Sequence, residues 1–446
     1  MKRVGEKMNI FSSVAKLHLE SHKDLEQAKV LHVLEDTKVA KIFMPAVGPN
    51  GADMNVLVKA GDSVLVGTKL AVRKDMYVPM YSPVSGTVVG IELAYHPGLS
   101  RPANHIVILN DGKNTRLPDA LKVIDPDTAT KEDIVAAIKE AGIVGMGGAG
   151  FPTFIKYQGV KNIDYVLING AECEPFLTTD YLSMQLEAKE MIQGAMLLRK
   201  ACDAKEVVIA FKVHKNAVKE AMDACISCHP GVRYVEVPDV YPMGWEKALI
   251  KEVFNRTYEK LPAEAGVIVN NTQTAVAVYR ALVKGEVLTH RLVCVSGDGV
   301  KNSGNVLVPL GTLAKEVVEF MGGYADEEVV LLPGGPMTAK AAEEDGFPIQ
   351  PAIGGLTILK NKLHHEVPCL RCGSCTMHCP AFLQPVEIMD ALERKDEARL
   401  AKLNTMKCVE CGLCATVCPS KIDVSENVKR AKRYLKFAQA KAAAKK

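Results

Sequence analysis

Aromatic residues are scarce in this 446-residue chain, at 5% with one tryptophan, Trp245. Hydrophobic residues still reach 48% and charged residues 24%, ordinary values for a folded globular protein. The cores must therefore be built from aliphatic side chains. Long apolar runs are missing too. No window approaches ~18 uncharged apolar residues, which excludes a helical membrane span. Charge of one sign is not in excess. A net charge of +3 gives nucleic acid no general electrostatic pull. The opening stretch MKRVGEKMNIFSSVAKLHLE lacks a continuous apolar core before a small-residue cleavage site. The expectation is a cytoplasmic chain without a signal peptide. Cysteine is thin over the first 368 residues, where only Cys173, Cys202, Cys225, Cys228 and Cys294 occur. That sparseness excludes a disulfide scaffold. The length allows about three domains.

The remaining eight cysteines are crowded together. Residues 369–380 read CLRCGSCTMHCP and residues 408–419 read CVECGLCATVCP. Both follow C-x2-C-x2-C-x3-C-P, the spacing of two-cluster ferredoxins, in which the fourth cysteine of each run serves the other cluster. Cys369, Cys372, Cys375 and Cys418 are expected to hold one 4Fe-4S cluster. Cys408, Cys411, Cys414 and Cys379 are expected to hold the second. Zinc is the competing occupant, but paired C-x2-C knuckles would leave the third and fourth cysteines of each run without a task. PVEIMDALERKDEARLAKL, between the runs, has helical periodicity. Adjacent clusters pass single electrons and need a donor and an acceptor.

Upstream, GIVGMGGAGFPTFIKY spans residues 142–157. ATKEDIVAAIKEA before it reads as a helix with Ile134, Ala137 and Ile138 on one face and Gly142 at its end. Backbone amides in such a glycine-rich loop can cradle phosphate. Phe151 offers a stacking ring and Lys156 a phosphate-reaching cation. The loop matches neither G-x-x-x-x-G-K-[ST] nor a clean G-x-G-x-x-G, so a plain turn remains the alternative. Two apolar strands end in polar groups: YVLINGAECEP in Asn169, Glu172 and Glu174, and AGVIVNNTQTA in Asn270, Asn271 and Thr272. Ligands in open α/β sheets sit beyond the carboxyl ends of strands.

GMGGAGFPTFIKY, NGAECEP and VNNTQTA resemble the flavin-bearing, NADH-oxidising subunit of respiratory complex I. Together with NGAECEPFLTTDYLSM and PGGPM (333–337), they resemble more closely the RnfC subunits of membrane ferredoxin:NAD oxidoreductases. The resemblance runs from about residue 35 to 425. It implies that Gly145, Gly147, Gly148, Ala149 and Gly150 wrap non-covalent FMN. Lys156, Asn169 and Glu172 would lie against it, and Asn270, Asn271 and Thr272 would meet its far side. Gly244 belongs to a further flavin patch in YPMGWEKALIKEV. Phe151, Glu174 and Glu246 match positions that hold NADH. Met146 stands where the complex I loop has arginine, Ala171 where it has aspartate, and Trp245 where it has an acidic residue. No catalytic acid or base is implied, because hydride passes directly between nicotinamide and flavin and the protein orients them.

The implied fold class is multidomain α/β plus all-β. An N-terminal segment (1–34) precedes a barrel-sandwich, biotinyl-like domain (35–115) and a Rossmann-like FMN/NADH α/β domain (116–289). A β-grasp (SLBB) module (290–345), a linker with a return strand (346–365), an α-helical two-cluster ferredoxin domain (366–425) and a basic helical tail (426–446) follow. The resemblance implies a peripheral protein on the cytoplasmic face of the membrane. It would exchange hydride with NAD(H) and relay electrons through other membrane subunits of an Rnf-type complex, reaching ferredoxin indirectly and no nucleic acid. A corrinoid reductase and a flavin-less electron-transfer subunit are the rival readings. Three local features read as incidental. Lys74 lacks the biotin hairpin, C-x-x-C-H at 225–229 lacks an export signal for haem attachment, and His364 and His365 read as a solvated pair.

Overall fold

The structure is a computed structural model that describes residues 17–25, 27–49, 51–362 and 365–443. It divides into two compact units. The larger comprises residues 21–239 and 243–361. The other comprises Val240–Pro242, the chain from Lys362 onward, and the described residues before Ser21.

In the larger unit, β1 (Leu31–Val33) precedes an all-β domain of seven strands. These are β2 (Lys41–Pro45), β3 (Met54–Val56), β4 (Ser63–Val64), β5 (Lys69–Arg73), β6 (Val78–Tyr81), β7 (Gly86–His96) and β8 (Arg101–Asn110). They form two antiparallel sheets of order β2-β8-β7-β4 and β3-β5-β6. Alternation along β2 buries Ile42 and Met44 and leaves Lys41 outside, the period-two pattern of a half-buried strand. Ile42, Leu70, Ile106 and Ile108 fill the core. Lys74 is exposed just after β5.

Helix α1 (Lys131–Glu140) starts at Thr130, whose hydroxyl accepts from the Asp133 amide while the Asp133 carboxylate accepts from the Thr130 amide. This reciprocal cap satisfies two amides that the helix itself cannot. Ile134 and Ile138 are fully buried one turn apart. The α/β domain continues as β9 (Tyr165–Gly170), α2 (Thr179–Leu186), α3 (Ala188–Ala201), β10 (Glu206–Lys212), α4 (Asn216–Ile226), β11 (Val232–Val237), α5 (Glu246–Phe254), β12 (Val267–Asn271) and α6 (Thr272–Lys284). Its sheet is wholly parallel in the order β11-β10-β9-β12. Apolar runs such as VVIAF in β10 are buried on both faces, as parallel strands covered by helices require. The register sets Asn169 beside Asn271, so the polar ends of two strands meet at one edge.

A fourth sheet runs β1-β14-β13-β16-β15, from β13 (His290–Ser296), β14 (Gly304–Pro309), β15 (Val329–Pro333) and β16 (Gly355–Lys360), with helix α7 (Ala314–Phe320). The segment before residue 35 supplies β1, parallel to β14. Strand pairing between residues more than 270 positions apart leaves no local sequence signal.

The smaller unit is helical: α8 (Ser374–Met377), α9 (Pro385–Glu393), α10 (Glu397–Lys402), α11 (Leu413–Thr416) and α12 (Val424–Ala443). The helical stretch between the cysteine runs is two helices. Lys395 breaks it with φ of 54°, and the Asp396 carboxylate caps α10 by accepting from the Arg399 amide. The basic tail is not a separate solvated helix. Val424, Val428, Ala431 and Leu435 of α12 recur at helical spacing and join Ile388 and Leu400 in the core. Phe437 points outward, 71% exposed. Val240–Pro242 belongs to this unit. Tyr241 exchanges two backbone hydrogen bonds with Leu17, and its hydroxyl donates to the Cys411 carbonyl at 2.7 Å.

Candidate flavin pocket and iron–sulfur centres

The glycine loop is closed at its base. The Gly145 amide donates to the Phe151 carbonyl at 2.8 Å, and the Thr153 amide to the Ile143 carbonyl at 2.9 Å. Between these ties Gly147, Gly148 and Ala149 are exposed, while Met146 and Gly150 are buried. Any Cβ on Gly147 would meet the Asn271 side chain at 2.8 Å, so only glycine fits there. Gly148 faces open space. The loop thus lies against the start of α6 with its middle bare.

Beneath it, a 3-10 turn (Thr153–Lys156) sets the Lys156 ammonium 2.8 Å from the Val269 carbonyl. Loss of hydration pulls the Lys156 pKa below the ordinary lysine value, and the Glu246 carboxylate opposes that shift. Among the described residues no carboxylate pairs directly with this ammonium. Asn270 donates to the Tyr157 hydroxyl at 2.5 Å, and its Oδ1 is buried without a partner. Thr153 Oγ1 is likewise buried and unpartnered. Native interiors rarely leave such groups unpaired. A half-buried cation, orphaned polar atoms and a bare glycine turn fit a phosphate-bearing cofactor such as FMN.

The other expected flavin residues are bound up in the protein. Asn169 donates to the Gly244 carbonyl at 2.9 Å and accepts from the Ala171 amide at 3.1 Å. Asn271 caps α6 by accepting from the Gln273 amide at 3.0 Å and donates to both Asp180 oxygens at 2.9 Å. Thr272 donates to Asp180 at 2.7 Å. Glu172 turns inward, with φ of 32°. Its carboxylate accepts from the Asp180 and Tyr181 amides at 2.8 and 3.3 Å, capping α2, and lies 3.7 Å from the Lys23 ammonium. Burial raises its pKa, and Lys23 draws it back. Phe151 is 42% exposed and available for stacking. Glu174 accepts from the Met337 amide at 3.0 Å and from the Thr338 hydroxyl, and burial raises its pKa. Glu246 opens α5 and is half-buried. Cys173 packs on Gly244, and burial pushes its thiol up to about 11. Cys202 and Cys294 are buried, as small core residues.

In the helical unit, one cavity is lined by Cys369, Cys372, Cys375 and Cys418, and a second by Cys379, Cys408, Cys411 and Cys414. Each gathers three thiols of one run and the last thiol of the other. Gly373 and Gly412 turn the chain with φ of 78° and 79°. Amides of Arg371, Leu383 and Glu410 point at Cys369, Cys379 and Cys408 sulfurs at 3.3–3.4 Å. Among the described residues, no group of three or more His, Cys, Asp or Glu side chains closes in as ligands of one ion would. Four thiols in each cavity, shared between the two runs in this way, are the donor set a 4Fe-4S cube takes. Burial pushes the Cys411 thiol up to about 11 and raises Cys408 and Cys414 as well. Metal binding displaces such protons and offsets that cost. Cys369 and Cys372 are exposed, so the first cavity is the nearer to solvent. His364 lies outside the described residues, and His365 is exposed.

Sequence reasoning missed Asp180, Gln273, Lys23 and Arg291. Asp180 lies in the quoted NGAECEPFLTTDYLSM stretch, and Gln273 sits between the flagged Thr272 and the end of VNNTQTA. Nothing local marks Lys23 or Arg291.

Four family descriptions match the chain in order: RnfC barrel sandwich hybrid domain over 15–113, Nuo51 FMN-binding domain over 138–280, SLBB domain over 292–340 and 4Fe-4S dicluster domain over 368–422. The C-subunit of the proton-translocating ferredoxin:NAD(+) oxidoreductase complex of Clostridium ljungdahlii is 34% identical over 81% of this chain and 80% of its own. The C-subunit of the ion-translocating oxidoreductase complex of Rhodobacter capsulatus is 33% identical, covering 89% and 78%. Its counterpart in the Na(+)-translocating ferredoxin:NAD(+) oxidoreductase complex of Acetobacterium woodii is 32% identical, covering 80% and 82%. An NAD+-reducing [NiFe]-hydrogenase chain shares the fold at a TM-score of 0.50 and 19% identity, over 70% of this chain and 63% of its own. With every expected module present in order and such identity over most of its length, the chain belongs to the C-subunit family of Rnf-type ferredoxin:NAD(+) oxidoreductase complexes.

Proposed function

We propose that this protein is the NAD(H)-handling subunit of an Rnf-type complex, exchanging hydride between NAD(H) and FMN and relaying electrons through two 4Fe-4S clusters to other membrane subunits. The carrying observation is that one polypeptide holds a bare glycine turn over a lysine whose ammonium meets a neutral backbone carbonyl, and two cavities of four cysteines each. FMN, when bound, accepts electrons in pairs and gives them up singly, which is what a hydride donor and a one-electron carrier need between them. Lys156 and the loop amides would hold its phosphate, with Asn270 Oδ1 left to accept from a hydroxyl of its ribityl chain. Phe151, Glu174 and Glu246 would orient the nicotinamide nucleotide. Cys369, Cys372, Cys375 and Cys418 would ligate one cluster, and Cys408, Cys411, Cys414 and Cys379 the other. Among the described residues no helix is long and apolar enough to cross a membrane. We place it peripherally on the cytoplasmic face, with ferredoxin served through partner subunits; that the relatives are named as subunits of translocating complexes supports the existence of such partners.

Anaerobic reconstitution tests this reading. Iron, sulfide and flavin are counted per chain, and spectra are taken before and after NADH. Eight irons and one flavin, both bleached by NADH, are expected. A colourless protein, or one holding only zinc, would overturn it.

A further inference from the structure

Among the described residues the largest fully buried side chain is a cation, Arg291, and it comes from the β-grasp module rather than from the α/β domain. It sits on β13, 2% exposed. One guanidinium nitrogen donates to Gln273 Oε1, and the other donates to the Met146 carbonyl at 2.7 Å. Its Nε has no partner. Both acceptors are neutral. A buried guanidinium facing only neutral acceptors is costly and is seldom kept without a use. Room is made for it, since a Cβ on Gly354 would stand 2.9 Å from its Nη2.

What it touches gives the use. Met146 is the buried residue at which the exposed middle of the glycine turn begins. Its amide donates to Thr274 Oγ1 at 3.0 Å, and its carbonyl accepts from Arg291. The peptides on either side of this residue are thereby fixed, one to α6 and one to β13. Gln273, the second acceptor, donates to Asp180 at 3.4 Å, and Asp180 holds Asn271 and Thr272. Arg291 therefore ties the glycine loop at Met146 to the start of α6 at Gln273.

We propose that Arg291 is a positioning residue for the flavin: it sets the glycine loop in its binding shape, and its buried charge favours the negative charge a flavin takes on when reduced. This makes the β-grasp module a working part of the cofactor site. The inference rests on the flavin reading above. Burial brings the Arg291 pKa down to about 10, which leaves it charged at neutral pH, with Asp180, Glu187 and Glu172 favouring the charged form from further off.

The test compares the full-length protein with Arg291→Met and Arg291→Lys. FMN is titrated into deflavinated protein by fluorescence quenching, and the midpoint potential of bound flavin is measured by spectroelectrochemistry. Loss of a charge-assisted hydrogen bond predicts about tenfold weaker FMN binding in Arg291→Met. Its flavin potential should move to a more negative value. Arg291→Lys keeps the charge and loses the fork, so it should bind FMN more weakly than wild type yet keep most of the potential. A purely structural role would leave the potential of the remaining bound flavin unchanged in both variants, and that result overturns the proposal. So does Arg291→Met with wild-type affinity and potential. Should Arg291→Met fail to fold, Arg291→Lys alone decides: unchanged affinity refutes the positioning role. A wild type that binds no FMN would instead sink the flavin reading itself.

Discussion

Lys156→Met separates a binding lysine from a structural one. In the apo protein the ammonium has one neutral acceptor, the Val269 carbonyl at 2.8 Å, and has lost most of its hydration. Its depressed pKa fixes the sign. The unfolded chain holds the proton more tightly than the fold, so below the ordinary lysine range this group costs stability. The penalty is relieved as pH rises from the depressed pKa toward 10.5. Methionine has nearly the same length and no charge. The apo variant should therefore melt at or above the wild-type temperature at neutral pH. Flavin binding should move the other way. A charge-assisted hydrogen bond to phosphate contributes ~1.5–3 kcal/mol, which converts to about ten- to a hundredfold in affinity. Thermal melts with and without FMN, together with fluorescence titration, read both quantities on one preparation. The melt should gain from FMN in wild type and barely respond in Lys156→Met. Equal flavin affinity in the two proteins, or an apo variant that melts well below wild type, would refute the argument.

Other outcomes follow from the same structure. Cys379→Ser should disturb the cluster of the 408–414 run, and Cys369→Ser the other. Each should cost about half the iron and leave NADH-to-dye activity at the flavin. Electron paramagnetic resonance of each reduced variant checks which cluster remains, and loss of flavin activity in either would contradict separable centres. Leu400→Ala empties a fully buried position in the helical core. It should destabilise that unit by about 2–5 kcal/mol, seen as a lower denaturation midpoint of cluster absorbance. His105 is buried with Nε2 unpartnered, and its pKa is lowered to about 4 by desolvation. The unfolded chain takes up this proton first, so stability is lost as pH falls from about 6.5 toward 4, by ~2 kcal/mol at pH 5. Melts across that window should flatten in His105→Gln, and an unchanged slope would count against the assignment.

Legibility in the sequence followed the range of the interaction. Helix α1 was readable because its cap and its buried isoleucines lie within nine residues. Helices between the cysteine runs were readable as well, but the place of the break at Lys395 was not, since PVEIMDALERKDEARLAKL keeps its helical periodicity across it. The packing of α12 was not readable either, because Val424, Val428, Ala431 and Leu435 gain a partner only once α9 and α10 fold beside them. In the pocket, Lys156 and Asn270 stand out at both levels. Asn271, Thr272 and Glu172 were grouped with the flavin because they end strands or loops beside it. The structure spends their polar atoms on helix caps and on Asp180.

The cysteine spacing by itself determined which thiols share a cavity, because a compact cluster forces three near neighbours of one run together and sends the fourth across. The glycine run likewise announced a backbone free to approach a ligand. Only the tertiary structure decided what fixes that backbone. Arg291 reaches the Met146 carbonyl across 145 positions, and Asp180 reaches Asn271 across 91. Such pairings arise from the packing of one module on another, and a linear pattern carries no trace of them.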